Sequence, residues 1–502
     1  MNQIIVDAGI SENRLALVED GELVELYIER RNHRRMVGNI YKGRVANVLP
    51  GMQAAFIDIG LEKNCFLYVK DALEQDLFDK GELCYKNISI TDVVKQGQEI
   101  VVQVIKESLG TKGARVTTNI TLPGRYLVLM PNTTYIGVSR RIVCSEERER
   151  LREEIEQLRP PNMGIIVRTV AEGKNRDDFN EDIKFLLKLW RKIEREKKSG
   201  TVPRLIHRDF DLISKTIRDT FSKDIDNFII NNAKEYQIAL ELVELLSPSL
   251  KSRISYFDET IEIFDYYGIK SQIDKCLNRK IWLKSGGYII IDSTEAFTVI
   301  DVNTGKYVGK TDLKDTVFKT NIEATGEIAK QLRLRGIGGI IIIDFIDMMG
   351  GGDNQKVIDA LEKALSKDKT RSKVLGMTQL GLVEMTRKKT RLGLDRLFQK
   401  RCQYCNGTGR LDSEYALLYK FEKEMIRIGI HTNAEAVIFE VNPTVLQVFQ
   451  EEESILEEIN AETNLKSFII PNSFLHHNEI QVKAMGDMES IKKLMDENDA
   501  IV

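Results

Sequence analysis

Histidine is scarce in this 502-residue chain, with five in all: His33, His207, His431, His476 and His477. Catalysis by paired histidines or by a serine–histidine–aspartate triad therefore has few candidates, none in a recognisable local motif. Cysteine is nearly as sparse, six residues scattered apart from one pair. That argues against a disulfide framework and for a reducing cytoplasm. No stretch approaches the roughly 18 apolar residues of a membrane span. The opening M-N-Q-I-I-V-D-A-G-I holds no apolar run of signal-peptide length. Excess charge is also lacking, the net being −3. The composition thus carries no global mark of nucleic-acid binding, and any basic surface must be local. What is plentiful is apolar sequence, 42% of a chain long enough for several domains.

Two acidic segments stand out: I-I-I-D-S-T-E-A-F-T-V-I-D-V-N-T-G-K (289–306) and G-G-I-I-I-I-D-F-I-D-M (338–348). Four isoleucines before Asp344 read as a buried strand that delivers a carboxylate to its end. The run up to Asp301 does the same, with Asn303 two residues on. A helix-length segment, about 311–334, lies between them. Strand, helix, strand implies a right-handed crossover and neighbouring parallel strands, with Asp301 and Asp344 side by side on one rim of a sheet. Paired carboxylates without a cationic partner repel. A hard cation with oxygen ligands, most simply Mg²⁺, resolves this and binds phosphate oxygens. Asn303 orients without adding charge, and Asp347 stands outside the pair. Three basic runs flank this site: E-R-R-N-H-R-R (29–35), Q-L-R-L-R (331–335) and T-R-K-K-T-R (386–391). One alone reads as a solvated face; three around a metal-type site shift the reading toward a nucleic-acid surface.

The remaining chain divides by pattern. Residues 1–35 alternate as two or three strands, with Asp20-Gly21 as a hairpin turn, and must pair with a later segment. Residues 36–118 hold about five short strands punctuated by glycine, the pattern of a small barrel of the oligonucleotide-binding type. Phe56 and Phe66 fall on its strands, with Lys106, Lys112 and Arg115 further on. Such residues either fill the core or form a platform for single-stranded nucleic acid. Residues 119–214 form an α+β unit in which Ser145 caps a helix 146–159 and a second helix, 180–198, stops at Gly200. There Arg168 and Thr169 end a strand, as a salt-bridge former or as a fork and hydroxyl for phosphate. Residues 215–278 are mostly helical, with a short strand possible at T-I-E-I-F. Residues 279–400 are the α/β unit with the aspartates. Residues 401–412 connect to a small α+β domain at 413–502. In the connector, Cys402 and Cys405 have zinc-knuckle spacing, but structural zinc takes four ligands. A redox dithiol, a site completed by distant residues, and a Cys₄ site shared by two copies remain open, the connector favouring the last.

Taken together, segments 289–306, 321–348 and 402–409 resemble the ribonuclease E/G family of bacterial endoribonucleases, over nearly the whole chain. The resemblance implies a multidomain α/β and α+β fold. Residues 1–35 with 215–278 form an RNase H-like subdomain. Into it are inserted an S1-type barrel (36–118), in which Phe56, Phe66 and Lys112 grip RNA, and a 5′-phosphate sensor (119–214). A DNase I-like subdomain (279–400), a zinc linker (401–412) and an oligomerisation domain (413–502) complete the chain. Asp301 and Asp344 hold catalytic Mg²⁺, supported by Asn303. Arg168 and Thr169 sense a 5′-monophosphate, backed by Gly124, Val128 and Arg141. Cys402 and Cys405 share structural Zn²⁺ between protomers of a homodimer or a dimer of dimers. The length matches a catalytic portion without the scaffold tail of longer members. The loop M-M-G-G-G-D-N (348–354) is unusually glycine-rich beside the site. The implied activity is Mg²⁺-dependent cleavage of single-stranded RNA, in rRNA and tRNA processing and mRNA decay. The alternative is a non-catalytic RNA-binding assembly protein with structural aspartates.

Overall fold

Alternating apolar and polar residues build the first three strands, Asn2–Ala8, Glu12–Glu19 and Glu22–Arg30, paired antiparallel. Asp20 and Gly21 turn the last hairpin at φ +50° and +81°, the left-handed geometry that a two-residue turn requires. Strands Asn227–Ile230 and Ile254–Tyr256 complete a five-stranded sheet, with Gln3 opposite Asn227. The N-terminal strands thus find their partner more than two hundred residues later. The T-I-E-I-F segment is not a strand. Glu262 accepts from the amides of Phe264 and Asp265 at 3.2 and 3.1 Å and starts a short helix, Ile263–Tyr266. The computed structural model describes residues 1–30, 36–73, 88–107, 113–294, 296–305, 313–348 and 352–496. Lys112, residues 31–35 and residues 349–351 of the glycine-rich loop lie outside them. Two compact units emerge, Met1–Leu394 and Asp395–Val502.

Within the first unit, strands Ile40–Leu49, Ala54–Asp58, Cys65–Tyr68, Glu99–Lys106 and Arg115–Thr117 close into a five-stranded barrel. The first pairs antiparallel with the fourth and the third parallel with the fifth, consistent with an oligonucleotide-binding fold. Val45, Ile57, Leu67, Val102 and Val116 fill its interior.

A four-stranded sheet comes next, from Leu122–Pro123, Leu127–Met130, Ile136–Val138 and Gly164–Val167. Helices Ser145–Leu158 and Arg176–Lys198 pack on its core. Ser145 is the first helical residue rather than the cap; Cys144 holds the cap position without a side-chain bond. The second helix begins four residues earlier than its apolar pattern suggests, because Asn175 and Asp178 form a reciprocal capping box. Asp182 on this helix is 4% exposed and accepts from the amides of Arg125, Tyr126 and Leu127 at 2.9, 2.8 and 2.8 Å. A Cβ on Gly124 would lie 2.4 Å from this carboxylate, so only glycine allows the close approach.

The aspartate strands lie in a six-stranded sheet. Its order is Lys280–Trp282, Tyr288–Ser293, Phe297–Asn303, Gly339–Asp344, Leu382–Arg387, Ser372–Met377. Helix Leu313–Arg335 makes the crossover between the two central strands, which run parallel. With Asp353–Leu365 it covers one face, burying Ile289, Ile300, Ile341, Ile343 and Val383. The isoleucine run is therefore not buried throughout. Ile340 is 54% exposed and Ile342 half-buried, because no helix covers the second face among the described residues.

The crossover helix is also bolted to the N-terminal sheet. Arg333, almost fully buried, donates to Glu25 at 2.9 Å and Glu19 at 3.0 Å, and Tyr27 donates to Glu25 at 2.5 Å. Burial first, then Glu25 beside it, pushes the Tyr27 phenol well above its usual pKa. Arg391 stacks over the Tyr27 ring at 4.5 Å and donates to the Leu26 carbonyl. Arg387, also buried, pairs with Asp368 at 2.6 Å. While Lys388 and Lys389 stay exposed, arginines of two of the three basic runs therefore supply internal ties. Sequence shows their charge but not the carboxylates waiting across the interface.

The second unit centres on strand Ala436–Val441, flanked by Lys466–Pro471 in parallel and Ile480–Gly486 antiparallel. Helices Glu414–His431, Pro443–Glu451 and Glu453–Thr463 pack on it around Phe421, Phe439 and Phe449.

Asp182→Ala should lower stability by about 3 kcal/mol in chemical denaturation, since buried amides lose their acceptor. Asp182→Asn should lose less, its amide oxygen still accepting. Burial raises the Asp182 pKa above 3.8 against the pull of those amides. The native state then holds its proton to higher pH than the unfolded chain. Parent stability should decline as pH rises through that interval, and the Asn variant should lack the slope. Unchanged denaturation profiles in both variants would contradict this account of the loop.

Candidate functional site

The parallel pairing sets Asp301 directly opposite Asp344, about 4.8 Å apart along the hydrogen-bonding direction. Both side chains project on the open face, since Ile300, Val302 and Ile343 fill the covered one. Asn303, two residues beyond Asp301 on the same face, donates to Asp301 Oδ2 at 2.8 Å. Fixing that one carboxylate oxygen also fixes the direction of the other. The Asp344 carboxyl is pushed above its ordinary pKa by partial desolvation, then by Asp301, then by Asp347. Asp347 is exposed just past the strand: it stands outside the pair but adds to its negative field. Asn321, a fully buried residue of the crossover helix, clamps the chain between these aspartates. Its amide donates to the Ile346 carbonyl at 2.8 Å and its oxygen accepts from the Ile346 amide at 3.1 Å. Nothing in the local sequence marks Asn321; only the crossover geometry does. The donor set is hard and anionic, two carboxylates with an amide in support, which fits Mg²⁺.

On the barrel, Phe56 and Phe66 are opposite one another, half-buried, with centroids 6.1 Å apart in an edge-to-face pair. They face away from the interior, which Ile57, Cys65 and Leu67 occupy. The pairing continues from Phe66 to Arg115 and from Arg115 to Lys106. Two aromatics and two cations thus form one row across four strands, the composition of a stacking platform with a phosphate track.

Around the proposed phosphate pocket the structure adds partners that the sequence conceals. Arg168 Nη1 donates to the Gly124 carbonyl at 2.6 Å and pairs with Asp219 at 2.7 Å. Burial would raise the Asp219 pKa, but bonds from Arg218 and Arg168 outweigh it and hold it low. Thr169 Oγ1 bonds Ser139 Oγ at 2.8 Å, and the Ser139 hydroxyl accepts from the Arg141 amide at 3.4 Å. The exposed Arg141 guanidinium donates to the Lys369 carbonyl at 2.7 Å. Val128 pairs with Pro123 and Ile166 inside the sheet. Ser139 therefore joins Thr169 to Arg141, while Arg168 already has an intramolecular anion.

In the second unit Cys402 is exposed and Cys405 half-buried. The Gly409 amide points at Cys405 Sγ from 3.3 Å. It and then the Gly407 amide lower the Cys405 pKa, favouring thiolate. The knuckle is held to its own unit. Tyr404 stacks on His476 with centroids 4.3 Å apart, and its hydroxyl accepts from the His477 amide at 3.1 Å. Among the described residues no third histidine, cysteine, aspartate or glutamate joins the pair. No described helix is long and apolar enough to cross a membrane. A cleft of about 460 Å³, lined by Gln272, Glu323, Glu327 and Lys330, borders Trp282 but contains none of the candidate residues.

Comparison with known proteins bears on the whole arrangement. Residues 121–390 match the model of the ribonuclease E/G family. Ribonuclease G of Escherichia coli is 41% identical over 455 residues, 90% of this chain and 93% of that protein. Ribonuclease G of Haemophilus influenzae is 41% identical over 487 residues, 96% of this chain and 99% of that protein. Ribonuclease E of Escherichia coli is 35% identical over 491 residues, 96% of this chain but 46% of that longer protein. With its aspartate pair, barrel and knuckle carried on a chain aligned over nine-tenths or more of its length with both ribonuclease G proteins, the protein belongs to the ribonuclease E/G family.

Proposed function

We propose that this protein is an Mg²⁺-dependent endoribonuclease that cuts single-stranded RNA, prefers 5′-monophosphorylated substrates, and serves rRNA and tRNA processing and mRNA decay. Its kinship makes it an endoribonuclease, against the alternative of a non-catalytic RNA-binding assembly protein. The observation that carries the mechanism is the pair itself, two carboxylates in register on an uncovered sheet face. Asp301 and Asp344 would hold the cation, which when bound supplies Lewis acidity for charge building on a phosphodiester. Asn303 keeps the Asp301 carboxylate in one orientation, and Asn321 holds the segment after Asp344. Water oxygen bonds to phosphorus, the P–O3′ bond breaks, and a proton passes to the departing O3′. The products are a 5′-phosphate and a 3′-hydroxyl. The Phe56–Phe66–Arg115–Lys106 row supports a grip on unpaired RNA. Unpaired thiols at Cys65 and Cys276 are compatible with a reducing cytoplasm.

Asp301→Asn and Asp344→Asn should each cut RNA at least about 10³-fold more slowly in Mg²⁺, with folding and RNA binding retained. Normal rates in either variant would refute the metal pair.

The end preference rests on Arg168 and Thr169. A terminal monophosphate would displace Asp219 from the Arg168 fork and take the Thr169 hydroxyl as a further donor. Arg168→Ala, and Thr169→Val with the ion pair intact, should both reduce the rate ratio between 5′-monophosphate and 5′-hydroxyl RNA toward one. A ratio unchanged in both removes the sensor.

Cys402 and Cys405 offer two thiolates where structural zinc takes four ligands. A second protomer would complete the site in a homodimer, within a dimer or a homotetramer. Cys402→Ser should lose zinc by metal analysis and fall in mass by light scattering. Parent zinc content and parent mass would exclude the shared site.

A further inference from the structure

The open face of the aspartate sheet carries more than the carboxylates. Edge strand Lys280–Trp282 pairs with Tyr288–Ser293 so that Lys280 lies opposite Ile290 and Trp282 opposite Tyr288. The next strand continues both rows, Ile290 to Asp301 and Tyr288 to Asn303. Trp282 and Tyr288 therefore share a face with the acidic site, and Tyr288 is the immediate neighbour of Asn303. Residues Ile281, Leu283 and Ile289 point the other way, against the helices.

This corner is arranged as a platform. The Trp282 and Tyr288 rings meet edge to face with centroids 5.4 Å apart, and Trp282 is 55% exposed. The Lys280 ammonium sits 3.6 Å from the Tyr288 centroid and 4.1 Å from that of Trp282. Among the described residues no carboxylate forms an ion pair with it. The nearby Asp292 is taken by Arg279 at 2.5 Å. Gly305 lies close against this corner: an added Cβ would come within 2.5 Å of the Gly286 carbonyl and 3.1 Å of the Tyr288 ring. A cation held by rings keeps its charge for an outside anion. Lys280 lies two strand spacings from Asp301, about 10 Å, within the span of a short stretch of RNA.

We propose that Lys280, Trp282 and Tyr288 form an RNA subsite on the open face, adjoining the carboxylate pair. A nucleobase stacks on Trp282, and the neighbouring phosphate meets the Lys280 ammonium. The proposal rests on the ribonuclease reading. It favours RNA over a second copy of the chain on charge. A polyanion complements Lys280 and is joined to the carboxylates through a cation, whereas a copied face would bring acid pair against acid pair.

The chain supplies its own reporter, since its other tryptophan, Trp190, is buried at 7% exposure. The full-length Asp344→Asn variant is titrated with a 5′-monophosphorylated single-stranded oligoribonucleotide in Mg²⁺. Tryptophan emission should be quenched in step with binding followed by the anisotropy of labelled RNA, and Trp282→Phe should abolish the quench. With Asp344 intact, Trp282→Ala and Lys280→Gln should each raise KM about tenfold, the effect of a lost base stack or phosphate contact, at constant kcat. Full binding without quenching, and unchanged KM, overturns the subsite and leaves the ribonuclease assignment standing. Failure of the parent to bind or cut RNA overturns both. A change in emission and mass with protein concentration alone assigns the face to a second copy instead.

Discussion

Everything at the acidic site depends on one backbone relation, the parallel register that sets residue 301 against residue 344. A slip by one residue would turn one of the carboxylates into the helix-covered core. The slip is resisted from both sides. Ile300, Ile341 and Ile343 are buried on the covered face, so a shifted strand would expose them and bury charge. The crossover helix then fixes the segment past the strand end, through Asn321 on the Ile346 backbone. The repulsion between the aspartates is therefore imposed by packing elsewhere. It adds to partial desolvation, the larger cause, in raising the Asp344 pKa.

Cationic groups are placed with similar economy. A chain with nearly balanced charge does not attract RNA through its overall field. It spends several arginines internally and places other cations in defined settings: Lys106 and the Asp71-paired Arg115 beside barrel aromatics, Lys280 between rings, Arg168 facing Asp219. On the reading proposed for the pocket, terminal phosphate binding is an exchange of anions on Arg168, which discriminates against ligands too weak or too bulky to displace the resident carboxylate.

The sheet and its aspartates were legible because long apolar runs, a helix-length spacer and terminal acidic residues are all local signals. The Asp-Gly hairpin and the barrel strands were legible for the same reason. The isoleucine run misled in one respect: four consecutive apolar residues suggest burial on both faces, yet the helices lie on one, leaving Ile340 bare. The arginines at 333, 387 and 391 misled more, because charge is visible in sequence and burial is not. Asp182, Ser139, Asp219 and Asn321 gave no signal. Each is an ordinary polar residue whose role exists only once a distant segment packs against it. Trp282 and Tyr288 are separated by a turn, and their common face with Asn303 depends on hairpin register.

The Arg333 tie has a further implication for modularity. This guanidinium belongs to the helix that joins the aspartate strands, but its counter-charges, Glu19 and Glu25, come from the hairpin of strands Glu12–Glu19 and Glu22–Arg30. An excised piece beginning near residue 279 would keep the arginine and lose both acids. It would also bare the helix face that packs on that hairpin. Removing the acids while the sheet stays in place would strand a buried guanidinium, at about 3–5 kcal/mol, a large part of a domain's margin. The acidic sheet is thus not a portable cassette. Recombination or circular permutation that separates residues 1–30 from 313–335 has to replace that electrostatic lock or neutralise position 333 at the same time.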